Sequence, residues 1–159
     1  MIKQDKGFTV IELLIVMAMV SILSVMALKG YKEMVLMADE ASAQKEMIAI
    51  AYALEKYRSG NFTYKGYSVN SVRLPKLASG ESSQKPQKYS VTVVDLASGN
   101  PLLTTSTAKG NGWAIKAISD NTSNYTLLMN SRGIQCKNKS KASVTFESCG
   151  TVAGGAEEW

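Results

Sequence analysis

The sequence predicts an α+β chain: one very long N-terminal helix, apolar in its first half and amphipathic in its second, followed by a small antiparallel sheet. Three observations predict it. Residues 8–28 carry a single ionisable side chain, Glu12. Residues 29–58 hold no proline and one glycine, Gly30, with apolar residues recurring at helical spacing. From Tyr89 onward, short β-branched and aromatic runs alternate with clusters of Gly, Asn, Asp, Ser and Pro, the pattern of strands and turns.

Composition bounds the chemistry. A chain of 159 residues is one domain's worth, and the part beyond residue 28 is still long enough for a modest core. The net charge of +5 permits an acidic partner without demanding one. The absence of histidine removes the commonest general base and the commonest metal ligand together. Two cysteines cannot complete a structural zinc site. No glycine-rich phosphate loop is present, and no serine or cysteine has an evident base. The chain is therefore expected to have no catalytic, cofactor-binding or metal site and not to be an enzyme.

The N-terminal helix starts behind a short hydrophilic segment, residues 1–7, with Lys3 and Lys6. Positive charge ahead of an apolar run favours keeping this end in the cytoplasm. The 21 residues of 8–28 would span roughly 31 Å as a helix, close to the hydrocarbon thickness of a bilayer. A charge deep in such a segment costs about 2.5–3.5 kcal/mol, so Glu12 calls for a function and a nearby counter-charge. A rival reading takes the same residues as a removable secretory signal cut after Ala27, leaving a soluble secreted domain. It ranks second, because an ordinary signal gains nothing from a buried carboxylate.

Lys6-Gly7-Phe8-Thr9, then Glu12, then the apolar run, resembles the class III signal of type IV prepilins and pseudopilins. The resemblance covers about the first thirty residues; beyond them it is one of layout. It implies cleavage after Gly7 by a prepilin peptidase and N-methylation of the new terminus, Phe8. It also implies a helix that anchors in the inner membrane and later packs with other pilin subunits in a filament. Glu12 would be the assembly carboxylate, pairing with the Phe8 ammonium of its own helix, at i,i+4, or of a neighbour. The expected organisation is a leader at 1–7, a membrane and filament-core helix at 8–28, its amphipathic half at 29–58 and a β-sheet head at 59–159. Removing the leader's Lys3, Lys6 and Asp5 leaves +4 (5 − 2 + 1).

The second half of the helix presents Tyr31, Met34, Val35, Ala38, Ala41, Ile48, Ala51, Tyr52 and Leu54 as its apolar stripe. Gly30 stands at the change of character, where family members often carry proline. A mid-helix glycine costs about 1 kcal/mol relative to alanine, so it is a candidate weak point as well as a tolerated residue. Ser59-Gly60-Asn61 is expected to stop the helix. Residues 62–88 read as a long loop punctuated by Pro75 and Pro86, with Leu74 and Leu77 as docking residues. Strands follow at 89–94, at 112–118 with Trp113, Ile115 and Ala117 on one face, at 125–129, and weakly at 143–146. The last six residues are expected to be flexible unless Trp159 docks.

Cys136 and Cys149 read as one disulfide in an exported protein, worth roughly 3 kcal/mol for so short a loop, against two buried thiols as the alternative. Arg132, Lys137, Lys139 and Lys141 form a basic run with no acid between 132 and 141. Such a run usually forms a solvated face; phosphate contact with DNA, known for some minor pilins, is the sharper reading. Matches to the glycosylation pattern, those at Asn61, Asn121 and Asn138 among them, are too weak to assign a modification. The expected function is a structural subunit of a type IV pilus, a minor pilin by its short basic head. The alternatives are a pseudopilin of a type II secretion system, a DNA-binding competence pilin and the secreted domain.

Overall fold

The computed structural model describes residues 9–69 and 89–159. Leu74, Pro75, Leu77 and Pro86 lie outside the described residues, as does the leader through Phe8. The chain divides into two compact units, Met1–Ala38 and Asp39–Trp159. Helix α1, Val10–Asn61, runs unbroken for 52 residues, Gly30 included.

In the first unit, Thr9 starts the helix. The Glu12 amide donates to Thr9 Oγ1 at 3.3 Å, which satisfies one of the orphan donors of a helix N-terminus, and the Leu13 amide makes the first intrahelical bond to the Thr9 carbonyl at 3.2 Å. From Val10 to Val25 every side chain is exposed, whichever way it points. The hydroxyls of Ser21 and Ser24 donate to the carbonyls of Ala18 and Val20 at 2.8 and 2.7 Å. They thereby carry no unmet polar demand into the apolar stretch.

In the second unit, five strands form an antiparallel meander in the order β1-β2-β3-β4-β5. They are β1 Tyr89–Asp95, β2 Trp113–Ser119, β3 Thr126–Asn130, β4 Gln135–Asn138 and β5 Glu157–Glu158. Register aligns Val93 with Ile115, Ile115 with Met129, and Leu127 with Lys137. One face carries Val93, Trp113, Ile115, Ala117 and Leu127 and packs on Ala43, Met47, Ile50, Ala51 and Leu54 of α1. The other carries Val94, Ala114 and Leu128 beneath Val144 and Cys149. Covering of both faces is why β2 and β3 are buried at most positions and carry consecutive apolar residues, Trp113-Ala114-Ile115 and Leu127-Leu128-Met129, instead of alternating strictly. The Cys136–Cys149 disulfide joins β4 to the segment covering that second face.

The observed elements correct several expectations. No strand forms at 143–146: Lys141–Ser143 is a 3₁₀ turn, and Thr145 Oγ1 accepts from the amides of Glu147 and Ser148, so local side-chain bonds replace a ladder. The strand lies instead at Gln135–Asn138, too short and polar to signal itself. The tail is held, with β5 paired to Cys136 and Lys137 and Trp159 Nε1 donating to the Cys136 carbonyl at 2.9 Å. Residues 62–69 are loop, as expected, and this loop closes over the core: Tyr64 and Tyr67 are buried, and Tyr67 meets Tyr57 edge-to-face at 5.6 Å. Only part of the expected helical stripe is covered, because Ala51 and Leu54 are buried whereas Ile48 and Tyr52 are exposed.

Gly110 locks this arrangement. Its amide donates to Asp95 Oδ2 at 2.7 Å, and its carbonyl accepts from the Tyr64 amide at 3.0 Å and Thr63 Oγ1 at 3.2 Å. The backbone sits at φ +71°, and an added Cβ would collide with Thr63 Oγ1 and come within 2.6 Å of the Lys65 nitrogen. Both faults act on the same residue. Gly110→Ala is therefore expected to destabilise the globular unit by about 2–4 kcal/mol. A urea denaturation midpoint unchanged from wild type would contradict this.

Candidate functional site

Of the residues expected to carry assembly, Gly7 and Phe8 lie outside the described residues. Glu12 is at the third position of α1, in its first turn, and exposed. A carboxylate there is favoured by the positive end of the helix dipole whatever else it does. Among the described residues no cation lies within ion-pair distance of it. Gly30 stands in open space, and a Cβ added there would meet nothing within 4 Å.

The basic run is not one patch. Lys137 Nζ lies 2.8 Å from Glu40 Oε1 and 3.8 Å from Glu157 Oε2, which ties β4 to α1 and to the tail. The Glu40 and Lys137 side chains are mostly buried, at 12% and 19% exposure. Burial alone would lower the Lys137 pKa, but the hydrogen bond and charge of Glu40, with the charge of Glu157, outweigh it and push it up. Lys137 and Lys139 both approach the Tyr125 ring, at 4.4 and 5.1 Å from its centroid. The Tyr125 hydroxyl donates to Glu157 at 3.0 Å. Arg132 lies apart in the turn before β4, while Lys141 begins the 3₁₀ turn after it. Acids from positions 40 and 157 thus meet a run that has none of its own.

A second polar junction has no signal in the sequence. Glu55 Oε1 accepts from the Tyr64 hydroxyl at 2.8 Å and from Trp113 Nε1 at 3.0 Å. Arg58 Nη1 donates to the same hydroxyl at 3.0 Å and its guanidinium lies 5.1 Å from the Tyr64 ring centre. This ties the end of α1 to β2. The apolar residues at 113 and 115 were legible; the carboxylate reaching Trp113 across 58 positions was not. Among the described residues no cluster of three or more His, Cys, Asp or Glu side chains is arranged to hold a metal ion.

A family model described as the prokaryotic N-terminal methylation motif matches residues 2–28. The match contains Gly7, Phe8 and Glu12 and ends at Leu28, within the exposed part of α1. No curated protein and no solved structure matches the chain.

Two outcomes follow from the polar geometry. Glu40→Gln leaves Lys137 largely buried beside a neutral partner and is expected to cost about 2–3 kcal/mol, between the limits for exposed and buried pairs. Adding Lys137→Met should recover part of that loss, read by denaturant midpoints; a double variant no more stable than Glu40→Gln alone would refute it. The second outcome concerns alkaline pH. Burial, with the charges of Glu40 and Asp39, pushes the Tyr89 hydroxyl up to about 12. A raised tyrosine contributes stability that is complete below its unfolded value of about 10 and lost as pH rises through the folded one. The globular unit should thus weaken between pH 10 and about 12. Tyr89→Phe should flatten that fall, and an unaltered profile would show that Tyr89 does not drive it.

Proposed function

We propose that this chain, by its methylation motif a type IV pilin or pseudopilin precursor, works as a minor pilin built into a filament through its N-terminal helix. A signal of this class implies processing by prepilin peptidase, inner-membrane anchoring through the apolar helix, and assembly with other pilin subunits. In the proposed sequence of events the peptidase cuts after Gly7, and Phe8 becomes the methylated N-terminus. The uncut leader keeps that amine from existing, so cleavage is the switch. The Glu12 carboxylate then pairs with the Phe8 ammonium of a neighbouring subunit. Neither charge is tolerable alone in an apolar bundle, so pairing selects the axial register in which both are met.

The observation that carries this reading is a helix exposed on all sides from Val10 to Val25 whose only ionisable group is Glu12, inside the matched motif. In the membrane, lipid covers those side chains; on leaving it, neighbouring helices must cover the same area to offset the loss. The short head and the net +4 of the processed chain favour a minor pilin over a major one.

The test is made in the native host. The mature chain is expected to begin at Phe8 and to weigh one methyl group more than its sequence, whereas a chain beginning at Leu28 would mean removal of the helix by general secretion. Glu12→Ala should be cleaved and inserted at wild-type levels and be missing from sheared filaments. Its normal incorporation would refute the carboxylate's role.

A further inference from the structure

The fold assembles an unbalanced basic end where the sequence shows no run of charge. The last turns of α1 and the segment after it, residues 56–69, contain Lys56, Arg58 and Lys65 and no acid. The connection that packs on them, residues 97–112, contains Lys109 and no acid. Gly110 fits against Thr63 and Lys65, which sets Lys109 beside the turn that follows the helix. Two acids stand at the borders among the described residues: exposed Glu55, which accepts from Tyr64 and Trp113 and whose charge acts on Arg58, and Asp95, buried with Oδ1 on the Ala97 amide and Oδ2 on the Gly110 amide. All four cations are exposed; Lys65 Nζ also donates to the Ser106 carbonyl at 2.8 Å and Arg58 Nη1 to the Tyr64 hydroxyl at 3.0 Å, each with further N–H groups left for a ligand. The run around Cys136 is the opposite case, charged in sequence and braced by Glu40 and Glu157 in the fold.

Within this end stands Phe62, the most exposed large apolar side chain among the described residues at 90%. It occupies the left-handed position just past the helix, at φ +57°, with its amide on the Arg58 carbonyl at 2.7 Å. That position is ordinarily taken by glycine or asparagine, and a bulky side chain there is strained. Asn61 and Gly60 immediately precede it, so a strain-free residue was one step away. An aromatic ring that is fully wet, gains no packing and strains its own backbone does nothing for folding.

We propose that this end binds single-stranded nucleic acid, with Phe62 stacking on an unpaired base while Lys56, Arg58, Lys65 and Lys109 meet the flanking phosphates. A flat π-face amid four exposed cations that outnumber the neighbouring acids is the combination that strand binding uses. An acidic protein surface would be served by the charges but has no base for the ring. The inference stands apart from filament assembly, since none of these residues lies in the matched motif.

The test uses the full chain in detergent micelles and a labelled oligothymidylate of about twenty nucleotides, longer than one such site requires. Affinity should fall with salt, with a log–log slope of about −3 for four phosphate contacts on a single strand. Lys56→Gln with Lys109→Gln should flatten that slope by about 1.4. Phe62→Gly should weaken binding about tenfold while leaving the denaturation midpoint unchanged or raised, because glycine relieves the backbone. That pairing separates lost contact from lost fold. The proposal is overturned by absent binding, by equal affinity for the strand annealed to its complement, or by an affinity indifferent to Phe62→Gly. Equal displacement by poly-L-glutamate of matched charge would overturn it too and assign the surface to an acidic protein.

Discussion

Water has no place along the first half of α1, and everything else in the chain accommodates that. Between Val10 and Val25 the side chains are exposed all round, so the hydrophobic effect is unmet within the chain itself. Only an apolar medium or other apolar helices can meet it. Backbone polarity is already satisfied by the helix, and the two serine hydroxyls return to carbonyls of their own turns. What remains is one carboxylate, Glu12, and its cost is the reason to look for a specific partner.

The second half of the same helix solves a different problem with the same geometry. There one face is covered by the sheet, through Met47, Ile50 and Leu54 against Ile115 and Leu127, and the opposite face stays polar or only sparsely apolar. Because the C-terminal segment covers the sheet's other face, the strands are a middle layer and not a half-wet surface. The disulfide, the Trp159 hydrogen bond and the pairing of Lys137 with Glu40 all act near β4. They bind the shortest internal strand to elements far from it in sequence, where four residues of ladder alone would be weak.

Charge behaves differently from hydrophobicity in this chain. The apolar positions of β1, β2 and β3 were legible from alternation and β-branched content, and each of those three strands lies within one residue of its expected ends. The meaning of the lysines was not. Lys137 belonged to a run of like charge in sequence, yet in the fold it is a brace, since Glu40 stands 97 positions away. Lys65 and Lys109 looked unrelated and are neighbours of one turn. Tyr64 and Tyr67 were unreadable for a similar reason: two tyrosines among Gly, Ser and Lys have no period to reveal that they close the core.

Local pattern was enough for the long helix, its change from apolar to amphipathic, the antiparallel strands and the signal around Gly7, Phe8 and Glu12. Helix and strand periods and a contiguous motif are all read within a few turns of chain. Packing between distant segments chose which part of the apolar stripe on α1 is buried, taking Ala51 and Leu54 over Ile48 and Tyr52. It also set where the short strands β4 and β5 form, which lysines pair with acids, and that Phe62 is left alone in water. The physical reason is the same in each case. Burial and ion pairing belong to pairs of residues, and their partners are fixed only when distant segments meet.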